Sequence, residues 1–539
     1  KASLNDLTFT RNLVEGYFTY KKLFNEIHSI NLVAGISYQS DLNETHYSQV
    51  QKFSTDAFLY HNLSAGTERL ASNSLTIPSK IASVYGRLNY SLKDKYLATF
   101  TFRRDGSASF GGNNRFGSFP SGSLAWRAGE EDFIKNLNIF SNLKVRGGYG
   151  VTGNDRIGNY IYMSLFGPTN VSLGEGSDSY GGTVITRLSN PDLQWESTAQ
   201  LDLGIDMGFF NNRIAATIDY YRKKTNKLIF DIPMGDWNGF PSQTVNAGSI
   251  ENKGVELSVT TQNIVGHDLT WTTTLNIAYN KQTCLDLGGR PYVITQTANL
   301  YGGRAMDFTK LEPGQELSTF YGYIYEGVIK TGEEHTAQPL SKAGDPKFKD
   351  ISGPDGKPDG IIDANDRTYL GHANPRYIYG INNDFSYKGF ELNIFLQGAL
   401  DYSLYNGTGL ILESGPGKAA LNRWTTANEN TDIPRDGYVI QYGGMVNSRF
   451  VENAAYLRCK MLMLGYNIPL ANTALKSLRG IKIYGSVQNL FTVTKYTGSD
   501  PEVNSNLNSG GSNANLSSGL DYTAFPAYRT FTLGLKLNF

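Results

Sequence analysis

Apolar and polar side chains change places residue by residue over most of this chain, and that alternation limits its possible folds more than any other feature. Leu201, Leu203, Ile205, Met207 and Phe209 fall on one side of an extended backbone, with Asp202, Gly204, Asp206 and Gly208 on the other. The pattern returns in Ile214, Ala216, Ile218 and Tyr220, in Val255, Leu257 and Val259, and in Phe390, Leu392, Ile394 and Leu396. It runs to the last residue through Phe531, Leu533, Leu535, Leu537 and Phe539. A period of two belongs to strands with one apolar and one polar face, so the chain reads as all-β.

The connections decide between kinds of β protein. Short links at 91–95, 209–212 and 386–389 alternate with long polar stretches at 43–80, 154–193, 283–373, 403–455 and 492–527. Soluble sandwiches keep both ends short. Tight turns at one end and long loops at the other mark a transmembrane antiparallel β-barrel of the outer membrane, with long extracellular loops. Hydrocarbon offers no water to backbone N–H and C=O groups, so a spanning sheet has to close, and each strand needs about nine to eleven residues to cross. About fifteen strands are expected, at 14–23, 27–42, 81–92, 96–104, 116–128, 142–153, 194–209, 213–230, 250–263, 268–281, 375–387, 389–402, 456–468, 478–491 and 528–539. The ring-rich stretches 321–327 and 376–380 fit aromatic girdles at the membrane surfaces, with cross-strand aromatic pairs in a soluble sheet as the alternative. Bacterial barrels have an even number of strands. The expectation is therefore that residues 1–539 are the C-terminal part of a larger barrel, starting in an extracellular loop. The absence of a starting Met and of a signal peptide agrees with that expectation.

Composition removes several function classes. The 49 basic and 49 acidic side chains leave no positive excess for nucleic acid. Charged residues make up only 18%, against about 25% in ordinary globular chains, while 34 Tyr, 28 Phe and 58 Gly favour strands and turns. Cys284 and Cys459 read as isolated thiols, too few for a disulfide framework or a zinc site. No apolar run reaches the roughly eighteen residues of a membrane helix.

Several segments resemble the SusC/RagA family of TonB-dependent outer-membrane transporters. They are "LKVRGGYGVTGN" (143–154), "NPDLQWEST" (190–198), "NAGSIENKGVELSV" (246–259), the acidic glycine-rich run 345–371 with "NPRYIYG" (374–380) after it, and "FVENAAYLRCKMLMLGYNIP" (450–469). They occur in the family's order across most of the chain. The resemblance implies a 22-stranded barrel closed by a plug, with the plug and about seven strands outside this chain. It also implies import of oligosaccharides or peptides, a SusD-like lipoprotein at the surface, contact with outer-membrane lipids, drive from the TonB complex, and no catalysis. A plugged receptor for siderophores or vitamins would share the barrel but lack this joint set of segments. A soluble carbohydrate-binding or adhesive β protein would keep its apolar faces dry inside.

Two groups of residues carry candidate chemistry. Asp350, Asp355, Asp359, Asp363 and Asp366 crowd one glycine-rich loop, and "DGIIDAND" (359–366) matches the second half of a calcium loop. Hard cations take several oxygens from such loops, so a structural Ca2+ or Mg2+ is one reading. Lys357, the inserted "PDGK" and the closing Asp depart from the pattern, and an acidic loop satisfied by water and backbone is the other reading. Trp237, Phe240 and Tyr301 are candidate platforms for sugar rings or apolar groups, with packing inside loops as the alternative. Histidines 28, 46, 61, 267, 335 and 372 form no ligand spacing, the glycine-rich stretches lack a phosphate loop's strand-to-helix setting, and no Ser/His/acid grouping is defensible.

Overall fold

Fifteen of the alternating stretches are strands of a single sheet. In the computed structural model they are β1 (Ala2–Phe24), β2 (His28–Phe53), β3 (Gly66–Leu92), β4 (Tyr96–Ser107), β5 (Phe116–Trp126), β6 (Phe140–Asn154), β7 (Glu196–Phe209), β8 (Ile214–Asn226), β9 (Ser249–Val265), β10 (Leu269–Asp286), β11 (Tyr377–Tyr387), β12 (Phe390–Leu400), β13 (Tyr456–Ile468), β14 (Gly480–Thr494) and β15 (Thr530–Asn538). The structure describes residues 1–172, 179–234, 239–240, 242–300, 305–353, 355–415, 417–437, 445–470, 478–503 and 518–538. The order of strands in the sheet is their order in sequence. Contacts divide the chain into one unit of Lys1–Trp126, Gly147–Leu201 and Thr225–Ala247 and another of Arg127–Arg146, Asp202–Lys224 and Gly248–Phe539.

Register keeps mostly apolar residues on one face and mostly polar residues on the other. In the second unit an apolar row passes through directly opposed residues Ile264, Trp271, Phe385, Leu392, Leu464, Gly485 and Leu533. On the opposite face a polar row passes through Ser258, Asn276, Gly380, Gln397, Arg458 and Thr492. The first unit repeats this: Leu32, Leu88 and Phe100 oppose one another on one face, and Asn31, Asn89, Thr99 and Ser123 on the other. The side-chain period is two, so a slip of one residue would exchange the faces.

The short links are tight turns with the backbone twist hairpins require. Asn25 and Glu26, Lys93 and Asp94, and Lys388 and Gly389 all take positive φ, matching the right-handed twist of the flanking strands. β1 to β3 are longer than their alternation predicts. Most of the expected loop 43–80 is strand, with Thr45 opposite Leu75 and Tyr47 opposite Asn73. In β2 and β3 those extensions, 43–53 and 66–74, carry polar residues on both faces. Backbone hydrogen bonds hold them, and they leave no apolar stripe to read in the sequence.

The apolar face is not a core. Leu203, Leu464 and Leu533 are 48%, 55% and 85% exposed. Buried apolar residues gather instead in the long connections. Residues 293–299, 305–311, 319–322 and 368–372 form a four-stranded sheet, and 403–406, 451–453 and 520–521 a three-stranded one. Phe308, Phe320, Tyr405 and Leu520 are fully buried among Met306, Leu410, Val446 and Phe450.

Two aromatic rows mark out a band on the exposed apolar face. Tyr387, Phe390 and Tyr466 stand opposite Leu269, and Tyr377 stands opposite Tyr279. Positions 269 and 279 are ten residues apart, about 33 Å along a strand. At the 35–45° tilt of barrel strands this is about 25 Å of height, the thickness of the apolar band of outer-membrane barrels. Leu203→Arg on this face is expected to cost about 2–4 kcal/mol of stability in bilayers. Urea titration of folding into lipid vesicles measures it, and an unchanged midpoint would mean the face is misassigned.

Candidate functional site

The segments between strands are locked by their own polar residues. In "NPDLQWEST" the Trp195 ring is buried against Phe110 and Phe119, and its Nε1 donates to the Arg115 carbonyl at 3.0 Å. Glu196 accepts from the Ile229 N–H and from Asn154 Nδ2, each at 2.7 Å. Asn246 accepts from the Gln194 N–H and donates to the Gln194 carbonyl, both at 2.8 Å. In "NPRYIYG", Arg376 joins Glu316 and Asp401. These motif residues hold loop roots onto strand ends.

On the polar face of the second unit Arg146 lies among three carboxylates: Asp219 at 2.5 Å, Asp202 at 3.2 Å and Asp206 at 3.5 Å. Gly204 makes room for it, since a Cβ there would meet the guanidinium at 2.5 Å. A second knot ties the last long connection to the wall. Arg458, only 2% exposed, donates to Asp500 Oδ1 at 2.6 Å, to Thr492 Oγ1 at 2.9 Å and to Glu502. Glu502 also accepts from the Tyr456 hydroxyl at 2.6 Å and from Gln397 Nε2 at 2.5 Å. Next to this knot the polar face is hollowed by about 410 Å³, with Asp219, Glu256, Ser258, Asn276, Gln397 and Tyr456 among the lining residues.

The acidic loop spends its carboxylates on its own backbone. Asp366, fully buried, accepts from the N–H groups of Ile351 at 2.8 Å, Ser352 at 3.2 Å and Asp363 at 2.8 Å. Asp363 in turn caps Asn365 N–H at 2.7 Å, forming a capping box. Asp350 accepts from Gly360 N–H at 2.7 Å, and Gly360 takes φ +81° as the turn demands. Asp355 and Asp359 each accept from an N–H two residues on. The loop thus joins Asp363 to Asp366 directly. Among the described residues no three His, Cys, Asp or Glu side chains gather as a metal-holding group. Phe240 is half-buried between the paired segments 229–233 and 242–246. Trp237 and Tyr301 lie outside the described residues.

With this geometry in view, the profile described as "TonB dependent receptor-like, beta-barrel" matches residues 3–490. The chain belongs to the TonB-dependent receptors. It is 38% identical over 540 residues to TonB-dependent receptor P3 of Formosa agariphila, an alignment covering 98% of this chain and 52% of that protein. To TonB-dependent receptor SusC of Bacteroides thetaiotaomicron it is 32% identical over 469 residues, 85% of this chain and 44% of SusC. The solved structure titled "Structure of the RagAB peptide transporter" superposes with a TM-score of 0.83 at 26% identity, covering all of this chain and 56% of that one. The receptor chain therefore spans about half the length of the curated relatives it matches, and it is of the SusC/RagA kind.

In this TonB-dependent receptor chain the Arg146 and Arg458 knots were not foreseen from sequence. The strand parity puts both arginines on the polar face, but their acids lie up to 73 residues away along the chain, and no spacing rule links them. His335 likewise has no ligand spacing to mark it in the sequence. Both its ring nitrogens face carbonyl oxygens, of Glu333 at 2.9 Å and of Ser341 at 2.8 Å. A carbonyl only accepts, so only the protonated ring can donate to both. Those two hydrogen bonds hold its pKa above the ordinary histidine value. The Lys330 N–H and then the Lys347 ammonium hold the Glu333 carboxyl below the usual range. A raised histidine pKa stabilises below the unfolded value and is lost as pH rises through the folded one. A depressed carboxylate pKa stabilises above its unfolded value and is lost as pH falls through the folded one. Residues 330–349 should therefore resist protease better at pH 5.5 than at pH 8.5, as measured by limited proteolysis, and His335→Ala should remove the difference.

Proposed function

We propose that this chain is the barrel portion of an outer-membrane importer of large nutrients, oligosaccharides or peptides. The observation that carries the reading is the exposed apolar face, bounded by two aromatic rows about 25 Å apart and backed by a polar face. In a bilayer such a sheet turns its apolar side to lipid and its polar side to a wet bore. A soluble adhesive or carbohydrate-binding protein would bury that side. The proposed whole is a 22-stranded barrel with a plug, the plug and the further strands belonging to a part of the protein outside residues 1–539. The long connections then face outward, where their own hydrophobic core makes them a firm seat for a SusD-like lipoprotein. The TonB complex supplies force from the periplasm through the plug. Kinship with SusC and with the RagAB peptide transporter supports this partnership and cargo size over uptake of siderophores or vitamins. Trp237, Phe240 and Tyr301 remain proposed cargo-facing rings.

Deleting the gene, or deleting TonB, should each reduce uptake of a labelled oligosaccharide and peptide mixture to background. Uptake that persists in both strains would refute import through this protein. Co-purification of a surface lipoprotein with the detergent-solubilised receptor measures the partnership.

A structural Ca2+ or Mg2+ in 345–371 is also proposed. Asp350 Oδ1 is enclosed and has no hydrogen-bond partner among the described residues, which supports a cation there. Chelation should then speed protease cleavage within this loop. Replacing Asp359 and Asp363 together by Ala should abolish the chelator's effect, and equal cleavage with and without chelator would argue for a loop held by its backbone bonds alone.

A further inference from the structure

The hollow on the polar face is built differently from the wall around it. Its floor is the row Glu256, Ala278 and Ile378 beside the row Ser258, Asn276, Gly380 and Gln397. Alanine, serine and glycine at adjoining positions leave the recess, and Phe395 and Tyr456 supply ring surface at its side. It lies midway along β9 and β10 and at the ends of β11, β12 and β13 that carry the long connections. Gln397 and Tyr456 at its rim are the residues that grip Glu502.

The charges are unbalanced. Asp219 and Glu256 line the hollow, and no Lys or Arg does. Asp219 is already paired with Arg146, and Arg458 beyond the rim is neutralised by Asp500 and Glu502. Lys223 lies over the Tyr221 ring, 5.0 Å from its centroid. Glu256 is exposed to the hollow with no ion pair or hydrogen bond among the described residues, and Asn276 and Ser258 beside it are unpartnered in the same sense. A carboxylate in a recess with low-dielectric walls concentrates negative potential there. A neutral hydroxyl-rich ligand could use Asn276, Ser258 and Gln397 but would leave Glu256 uncompensated, and an anionic one would be repelled.

We propose that this hollow is a cargo subsite for a cationic group, an ammonium or guanidinium carried on a hydrogen-bonding chain. Glu256 is its counter-ion, Asn276, Ser258 and Gln397 bond the flanking amides or hydroxyls, and the Phe395 and Tyr456 rings flank its aliphatic stem. The inference rests on the import reading and deepens it. Two cargo sources present this chemistry, basic peptides and amino-sugar oligosaccharides.

The test uses the full-length receptor in detergent and two probe pairs that differ only in charge: an alternating Ala–Lys hexapeptide with its Nε-acetylated form, and chitosan hexamer with its N-acetylated form. Calorimetric titration should show at least one charged member binding about fivefold tighter than its acetylated partner, with the preference shrinking in high salt. The pair showing the preference identifies the source. Glu256→Gln should erase the preference while leaving the acetylated forms unchanged. Ala278→Trp, which fills the recess, should weaken charged and acetylated forms alike. Heat-modifiable migration on gels confirms that both variants fold. Equal binding within both pairs, or a preference that survives Glu256→Gln, would overturn the subsite and leave import standing. Failure of all four probes to bind would overturn it as well, and the uptake assay above then decides separately whether import survives.

Discussion

A strand in hydrocarbon has only one place to send its backbone N–H and C=O groups, the strand beside it. Each unmade hydrogen bond there costs several kcal/mol. That requirement explains why fifteen strands lie in one sheet. It also explains why their neighbours are opposed residue for residue and why the turns at one end are as tight as the twist allows. With the backbone settled, the side chains are free to differ by face. The wall then offers hydrocarbon a surface of Leu, Ile, Phe and Tyr, and offers the other side Asn, Thr, Ser, Gln and a few charges.

The consequence for stability is a division of labour. The sheet gains little from burying side chains against its own chain, because its apolar face is exposed. On the import reading proposed above, its hydrophobic gain comes from lipid. The long connections must find theirs within the protein, and they do so around Phe308, Phe320, Tyr405 and Leu520. Polar knots then fix the connections to the wall. Breaking one of them by removing Arg458 would strand Asp500, which is 5% exposed, as an uncompensated buried carboxylate.

The strands and their faces were legible because period two is a local signal. Leu203, Leu257 and Leu392 declare their side without knowledge of any partner. The ends of β2 and β3 were not legible, since a ladder polar on both faces leaves no stripe, and Thr45 opposite Leu75 gives no hint in either segment alone. The candidate site was less legible still. Its features arise where residues distant in sequence meet: Gln397 with Glu502, Arg146 with Asp219, and Glu256 beside Ala278. The acidic loop could be recognised by composition. Which carboxylate caps which N–H depended on its folded path.

Every strand in this sheet sits beside its predecessor and its successor along the chain. Among the described residues no crossover links one distant strand of this sheet to another. Removing or duplicating a complete hairpin would therefore disturb only the pairings at its two edges, altering the width of the sheet. A lineage built this way can widen or narrow its sheet by gene-segment copying, in steps of two, without having to invent a new topology.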